Sequence, residues 1–179
     1  VGFSLYTDML KHAVKSLQQG KEPDIDAPLG VTVDINLHTP ALLPHNYCPD
    51  THERLLLYKR LANAEEVDAL LALQEEIIDR FGTLPEATRA LLACHRLRLR
   101  CQPLGIAKLD ATRQSATLHF IPCPPLDPVR LIQLVQQQRH WKLSGADKLR
   151  LNYSTQDINE QLARLESELN LLSQTRSLN

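Results

Sequence analysis

Two helices meet in the stretch Glu75-Glu76-Ile77-Ile78-Asp79-Arg80-Phe81-Gly82-Thr83-Leu84-Pro85, residues 75–85 of the chain. Gly82 suits the left-handed backbone with which many helices end. Pro85 suits the first turn of a helix, where its missing N–H costs nothing. The stretch therefore predicts one helix that ends at Phe81 and another that begins near Pro85.

The helix that ends at Phe81 has one broad apolar face at about 100° per residue. Its predicted buried side chains are Val67, Leu70, Leu71, Leu73, Ile77, Ile78 and Phe81. Glu76 lies away from this face, and Asp79 and Arg80 follow it at i+3 and i+4, where helical side chains are neighbours. The pattern predicts a charged patch opposite the core. It is either a solvated face with a Glu76–Arg80 pair or a binding surface.

Hydrophobic periodicity along the whole chain predicts an α+β fold. We expect a small, mostly antiparallel sheet packed with several helices, as a single compact domain plus an N-terminal helix. The predicted helices cover about residues 5–20, 51–62, 64–81, 85–101, 128–138 and 155–172, with Asp50, Asn63 and Ser154 as the caps of the second, third and last. The predicted strands cover residues 31–37, 106–111, 116–121, 141–143 and 148–151. The leucine stripe of the last helix is expected to dock on the domain's own sheet.

Composition argues against a strongly basic or membrane-spanning protein. The formal charge is −1 over 179 residues, and no apolar run approaches the roughly 20 residues of a membrane span. The cysteines, at positions 48, 94, 101 and 123, form no C-x-x-C pair, which favours a reducing, cytoplasmic compartment. We expect no signal peptide. Because Val1 stands inside an amphipathic pattern without a Met, we expect a piece of a longer protein.

Signatures of catalysis or metal binding are weak. His45, Cys48 and Cys123 supply too few ligands for a structural zinc, which takes four. The chain has no G-x-S-x-G, no Cys–His signature and no glycine-rich phosphate loop. We therefore expect no catalytic residue, no metal and no cofactor, and a hydrolase built on the His45–Cys48 loop is the weakest hypothesis.

A basic helix offers an alternative function. Arg89, Arg96, Arg98 and Arg100 lie on the helix that follows the acidic one. Two antiparallel helices of opposite charge can neutralise each other, whereas a duplex-binding site normally carries net positive charge. A nucleic-acid-binding accessory domain is therefore the alternative to a protein-interaction domain.

Several motifs carry a resemblance to a known family. They are Leu42-Leu43-Pro44-His45-Asn46-Tyr47-Cys48-Pro49-Asp50, Arg54-Leu55 with Tyr58-Lys59-Arg60-Leu61-Ala62, Ile78-Asp79-Arg80-Phe81-Gly82 with Pro85, and, more weakly, Leu104-Gly105-Ile106-Ala107-Lys108-Leu109. In this order and spacing they resemble the C-terminal domain of the bacterial transcription-repair coupling factor (Mfd) family. The opening residues 2–10 look like the last helix of that family's translocase module.

The resemblance implies a fragment of an ATP-dependent DNA translocase that displaces stalled RNA polymerase and couples transcription to nucleotide excision repair. Residues 1–24 would be the helix and linker that end the translocase module, and residues 25–179 the C-terminal regulatory domain. The resemblance implies that this domain packs on the N-terminal UvrB-like module of the same protein and masks the UvrA-binding surface. Glu76, Asp79 and Arg80 are the expected contacts, with partner arginines facing the two carboxylates. RNA polymerase and DNA are expected to contact other domains of the parent.

Overall fold

The computed structural model describes residues 33–177, which contain five α-helices and five β-strands. The helices are α1 (Thr51–Asn63), α2 (Val67–Phe81), α3 (Glu86–Cys101), α4 (Pro128–Gln137) and α5 (Ile158–Ser173). The strands are β1 (Asp34–Asn36), β2 (Ile106–Ala111), β3 (Ser115–Phe120), β4 (Trp141–Ser144) and β5 (Lys148–Asn152). The α+β class is confirmed. The helix predicted over residues 5–20 and the linker after it lie outside the described residues.

The described residues divide into two units. Residues 39–99 form the first, which holds α1, α2 and most of α3. Residues 33–38 and 100–177 form the second, which holds all five described strands, α4, α5 and a short 3-10 helix at Gln102–Leu104.

The loop before α1 is fastened to the helical unit by side chains of α1. Arg54 donates from Nη1 to the carbonyl oxygens of Cys48 at 2.7 Å and Pro49 at 3.1 Å. The Tyr58 hydroxyl accepts the backbone N–H of Leu43 at 2.7 Å. Each bond satisfies a backbone group that the irregular loop leaves unpaired. The L-L-P and R-L-x-x-Y motifs are thus two halves of one set of contacts.

Two of the three predicted helix caps are wrong. Asp50 does cap α1, accepting the Glu53 N–H at 3.0 Å. Asn63 instead ends α1, and the backbone before α2 is extended at Glu66, which makes no side-chain cap. α5 is capped by Asp157, which accepts the Glu160 N–H at 2.8 Å. Ser154 is displaced from that role because the neighbouring Thr155 bonds the Arg113 carbonyl through both its N–H and its hydroxyl, which holds this segment extended.

The five strands form one sheet in the order β1-β2-β3-β5-β4. β1 runs parallel to β2, and the other three pairings are antiparallel, as expected from short connections. The residues Ile35, Leu109, Leu118 and Leu149 lie in register across four strands, and all are buried. Because strand side chains alternate, the residues between them lie on the opposite face of the sheet.

Helix α5 docks on the sheet of its own unit, as the leucine stripe predicted. Gln161 donates from Nε2 to the Ala111 carbonyl at 3.3 Å, and Leu165, Leu169 and Leu172 are buried. Glu168 is also buried, and it accepts hydrogen bonds from Trp141 Nε1 at 2.5 Å, His140 Nε2 at 2.7 Å and Arg164 Nε at 2.8 Å. A charged group tolerates such burial only when donors surround it.

Gly105 sits where the chain enters the sheet. Its φ of +71° is left-handed, and a Cβ added there would lie 2.7 Å from Pro125 Cδ and 2.9 Å from Pro124 Cβ. Both the backbone conformation and the close approach of the two prolines require glycine at this position.

Three of the four cysteines are removed from solvent. Cys48, Cys94 and Cys101 are buried and Cys123 is exposed, and all four are free thiols. Burial raises the pKa of Cys94 well above the usual range, and it raises the pKa of Cys101 to about 12, with Glu166 adding to the rise. The buried thiols are therefore poor nucleophiles, as structural cysteines generally are.

Candidate protein-interaction surface

Helix α2 places all three predicted site residues away from its core face. Its buried side chains are Leu70, Leu73 and Ile77. Asp79 and Arg80 are exposed and Glu76 is half-exposed. The three groups lie on consecutive turns at the C-terminal end of α2, so the structure keeps them in one neighbourhood.

Two of the three site residues already have partners on α1. Glu76 accepts from both terminal nitrogens of Arg60, Nη1 on Oε2 and Nη2 on Oε1, the second at 3.1 Å. Arg80 donates from Nη2 to Glu53 Oε1 at 2.6 Å, and its Nη1 lies 3.8 Å from Glu76 Oε2. The hydrogen bond from Arg60, together with both guanidinium charges, lowers the pKa of the Glu76 carboxyl below its usual range.

Glu53, Arg60, Glu76 and Arg80 therefore form one neutral chain of ion pairs between α1 and α2. The Glu76–Arg80 pair predicted at i+4 is present, although at 3.8 Å it is the longest link. Sequence reasoning missed Arg60 and Glu53 as its members. The sequence offers one weak sign for each residue. Arg60 stands inside the Y-K-R-L-A motif, and Glu53 follows the cap residue Asp50 by three positions. In the structure the Glu53 carboxylate accepts from Arg80.

Asp79 differs from its two neighbours. It is exposed, and within residues 33–177 it makes no ion pair or side-chain hydrogen bond. Around the helix axis it points in nearly the same direction as Glu75 and Asp68, which are likewise exposed and unpaired within the described part of the chain, and about 100° away from Arg80. This side of α2 thus presents a row of free carboxylates.

The apolar arc of α2 is narrower than the sequence predicted. Leu71 is 42% exposed and Ile78 is 39% exposed, although both were expected in the core. The two lie seven residues apart and share one side of the helix, between the buried face and the free carboxylates. The buried face of α2 is limited to Leu70, Leu73 and Ile77, and both exposed residues lie outside it. The surface around Asp79 is therefore mixed, with apolar side chains beside carboxylates.

The C-terminal end of α2 is held by Tyr47, which lies in the loop before α1. The Tyr47 hydroxyl donates to the Gly82 carbonyl at 2.7 Å, and its ring lies 5.7 Å from that of Phe81 between centroids. The Arg80 guanidinium carbon lies 5.0 Å from the centroid of the Phe81 ring. Gly82 itself has φ +93°. These contacts link the motif at residues 42–50 to the D-R-F-G motif and fix the last turn of the site.

The same motifs are matched by a family model. The model described as "TRCF domain" matches residues 37–131. This chain belongs to the TRCF domain family. The match covers the loop, the α1–α2 pair with its ion-pair chain, α3 and the first hairpin of the sheet.

This TRCF domain is similar in sequence to proteins named transcription-repair-coupling factors. The protein of Escherichia coli (strain K12) is 38% identical over 167 residues, 93% of this chain and 14% of the relative. The protein of Haemophilus influenzae (strain ATCC 51907 / DSM 11121 / KW20 / Rd) is 39% identical over 173 residues, 96% of this chain and 15% of the relative. The chain thus spans about one seventh of the length of these relatives.

A solved structure shares the fold of this TRCF domain. It is the crystal structure of the C-terminal domain of a transcription-repair coupling factor, with a TM-score of 0.68 at 19% identity, covering 81% of this chain and 94% of that one. At this identity the likeness concerns the fold.

The residues considered for a metal or hydrolase site, His45, Cys48 and Cys123, all lie in the described part of this TRCF domain. Within residues 33–177, no group of three or more His, Cys, Asp or Glu side chains is placed to hold a metal ion. Cys48 is buried, and His45 Nδ1 lies 3.2 Å from Arg54 Nη1, a fixed positive charge. A cation beside the imidazole opposes metal binding there.

Two of the four arginines on the basic helix α3 make contacts within the chain. Arg98 is half-buried and donates to the carbonyl oxygens of Leu61 at 3.4 Å and Ala64 at 3.2 Å. Burial lowers its pKa from the usual arginine value. Arg100 pairs with Glu166 at 2.5 Å and bonds Asn170 at 3.1 Å. These contacts weaken the nucleic-acid interpretation of α3.

The helices of the described residues also bear on membrane insertion. None of them is both long enough and apolar enough to span a bilayer.

Proposed function

We propose that this TRCF domain is a non-catalytic, autoinhibitory protein-interaction domain of a transcription-repair coupling factor. In this proposal it packs on the N-terminal UvrB-like module of the same protein and masks the UvrA-binding surface. The parent is proposed to be a cytoplasmic, ATP-dependent DNA translocase that displaces stalled RNA polymerase and couples transcription to nucleotide excision repair. In this proposal RNA polymerase and the DNA on which the motor moves bind its other domains. Residues 1–24 belong to the end of the translocase module and residues 25–179 to the regulatory domain.

The observation that carries the proposal is the free Asp79 carboxylate beside exposed Leu71 and Ile78. A carboxylate without a partner offers both oxygens to an incoming arginine, which can bind them in a two-pronged geometry. Apolar side chains next to it supply the area from which interfaces draw most of their affinity. A solvated helix face also carries free carboxylates, but it has no need of neighbouring exposed apolar side chains.

Glu76 and Arg80 contribute to the proposed contact in a different way. Because Arg60 and Glu53 neutralise them, they offer a partner an ordered pair of hydrogen-bonding groups rather than a net charge. A partner arginine that approaches Glu76 meets the charges of Arg60 and Arg80, so it gains less there than at Asp79. Asp79 is therefore the principal charged contact of the three, and the ion-pair chain sets the orientation of the other two.

The test uses the full-length protein and measures its affinity for UvrA. Replacing Asp79 by Asn removes the free charge without touching the ion-pair chain, and Asp68→Asn is the matched control on the same helix. We expect Asp79→Asn to tighten UvrA binding by about 5-fold or more, the lower end of typical allosteric coupling, while Asp68→Asn has a smaller effect. Equal UvrA affinity for all three proteins contradicts the proposal.

A second measurement separates partner contact from internal support. Glu76→Ala loses both the proposed partner contact and the Arg60 pair, whereas Arg60→Gln loses only the pair. If Glu76 touches the partner, its variant weakens binding of this chain to the isolated UvrB-like module more than Arg60→Gln does. Identical binding by the two variants assigns Glu76 to the internal chain alone.

A further inference from the structure

The open face of the sheet in the second unit carries an unpaired cluster of basic side chains. Lys108 on β2, His119 on β3 and Lys148 on β5 lie in one register row across the sheet. Arg150 on β5 lies directly opposite Lys142 on β4 in the next row. We define these five residues as the basic sheet face.

The basic sheet face lies opposite the buried one. Lys142, Lys148 and Arg150 are exposed, and Lys108 and His119 are half-exposed, while the residues between them on β2, β3 and β5 are buried. The five residues come from four neighbouring strands, which are spaced about 4.8 Å apart. The cluster therefore spans most of the width of the sheet.

Three carboxylates lie on or near the basic sheet face, and none of them forms an ion pair with it. None of its five residues forms an ion pair with any described residue. Asp110 shares this face but pairs with His38 at 2.5 Å. Asp34 lies opposite Lys108 at the far edge, and Asp147 lies in the β4–β5 turn, neither of them within ion-pair distance of the cluster.

Stability of the sheet does not explain this arrangement. Like charges directly opposite each other on neighbouring strands are destabilising, as Lys142 and Arg150 are here. A lysine on an edge strand prevents aggregation, which accounts for Lys142 on β4. It does not account for Lys148 and Arg150, because β5 lies between β3 and β4 and is not an edge strand.

The chemistry of the face favours nucleic acid over protein. Its remaining positions on β3, β4 and β5 are polar, namely Ser115, Thr117, Ser144 and Asn152. A protein-binding surface normally has an apolar or aromatic centre, whereas nucleic-acid interfaces are more polar and much more positively charged. The described strands place no Phe, Tyr or Trp among these positions, so no stacking platform for single-stranded bases is present.

We infer that the basic sheet face binds the phosphate backbone of duplex nucleic acid without reading its sequence. This site shares no residue with the α2 surface, which comprises Leu71, Glu76, Ile78, Asp79 and Arg80. Binding of DNA by this chain alone does not require the UvrB-like module. The proposed function and this inference therefore succeed or fail independently.

The experiment measures the anisotropy of a fluorescein-labelled DNA duplex of about 20 base pairs as this 179-residue chain is added. The triple variant Lys142→Gln/Lys148→Gln/Arg150→Gln removes three charges from the face. The matched control, Lys59→Gln/Arg130→Gln/Arg176→Gln, removes three accessible charges that lie on none of the strands and outside the basic helix α3. Thermal unfolding of each variant confirms that the fold is kept.

The salt dependence gives the decisive number. With four permanent charges on the face, we expect log K to fall against log salt with a slope of about −3.6, since each phosphate contact contributes about −0.9. The face variant should reduce the slope to about −0.9 and weaken binding at least about 10-fold at about 50 mM salt, while the control keeps a slope near that of the wild type.

Three results overturn the inference. The first is no saturable binding of the duplex at about 50 mM salt. The second is equal weakening by the face variant and the control, which indicates a general charge effect. The third is tighter binding of polyglutamate than of a duplex of equal charge, which assigns the face to an acidic protein partner.

Discussion

Arg60 on α1 and Glu76 on α2 form an ion pair in which both terminal nitrogens of the guanidinium meet both oxygens of the carboxylate. This pair changes the interpretation of the charged patch, because Glu76 has a partner within its own chain. The pair joins two helices that are adjacent in sequence, and its members are about half exposed. It therefore contributes modestly to stability and strongly to the orientation of Glu76.

A double-mutant cycle on Arg60→Ala and Glu76→Ala measures this pair. We expect a coupling free energy of about 0.5–1 kcal/mol at neutral pH from urea unfolding. The folded pKa of Glu76 is depressed, so the coupling is present above the ordinary glutamate pKa and disappears as pH falls through the folded pKa. Additive single variants at neutral pH contradict the prediction. Arg60→Lys should recover only part of the coupling, because an ammonium cannot bind both oxygens in the same geometry.

Replacing Glu168 by Ala should destabilise the chain by about 2–4 kcal/mol, because it leaves the donors on Trp141, His140 and Arg164 without their common acceptor. Trp141 is the only tryptophan, so its fluorescence reports unfolding in denaturant directly. The matched variant Glu166→Ala removes a more exposed carboxylate with a single ion-pair partner from the same helix, and it should cost clearly less than Glu168→Ala. If both variants lose the same free energy of unfolding, the burial of Glu168 does not set the cost of its removal.

His95 should make the chain less stable as pH falls below about 6.5. Burial, and then the Arg98 charge, lower the pKa of His95 to about 3 in the folded state. The unfolded state therefore takes up a proton between pH 6.5 and 3 that the folded state excludes. The stabilisation is complete above the unfolded pKa, and about 1.4 kcal/mol of it is lost by pH about 5.5.

Urea unfolding at a series of pH values tests this expectation. The variant His95→Gln should lower stability at neutral pH and flatten the dependence above pH about 5.5, where carboxylates contribute little. An unchanged slope in the variant would assign the pH dependence to another group.

Gly105→Ala should be more damaging than Gly145→Ala. Both glycines have nearly the same left-handed φ, +71° and +73°, so the strain of the backbone is matched. A Cβ at Gly105 meets Pro125 at 2.7 Å, whereas at Gly145 the nearest atom is Asp147 Oδ1 at 3.9 Å. We expect about 1 kcal/mol for the loss at Gly145 and at least about 1–3 kcal/mol more at Gly105, by thermal unfolding. Similar losses would show that the proline segment yields to the extra methyl group.

Within residues 33–177 the sequence was sufficient for the order of the α-helices and strands, because most of them have a strong local period. The Asp50 cap and the Gly82 stop were also predictable from local chemistry. The start of α5 was not, because Thr155 bonds to Arg113, a residue distant in sequence, and this removes Ser154 from the cap position. Local patterns do not contain such contacts.

The same limit applies to the candidate site. The helical period placed Glu76, Asp79 and Arg80 off the core face. It could not distinguish Asp79, which is free, from Glu76, whose partner lies on another helix. Nor could it predict that Leu71 and Ile78 are exposed, because the width of a buried face depends on the elements that pack against it. The register of the basic sheet face likewise became visible only once the strand order was known.

The distribution of thiols has a practical consequence. All four cysteines of the chain lie among the described residues, and only Cys123 is accessible to solvent. A maleimide dye or a spin label should therefore attach at a single position under native conditions, without prior removal of the other three cysteines. Because Cys123 lies just before the segment that packs on Gly105, a probe there would report on the second unit and leave the α2 surface unmodified.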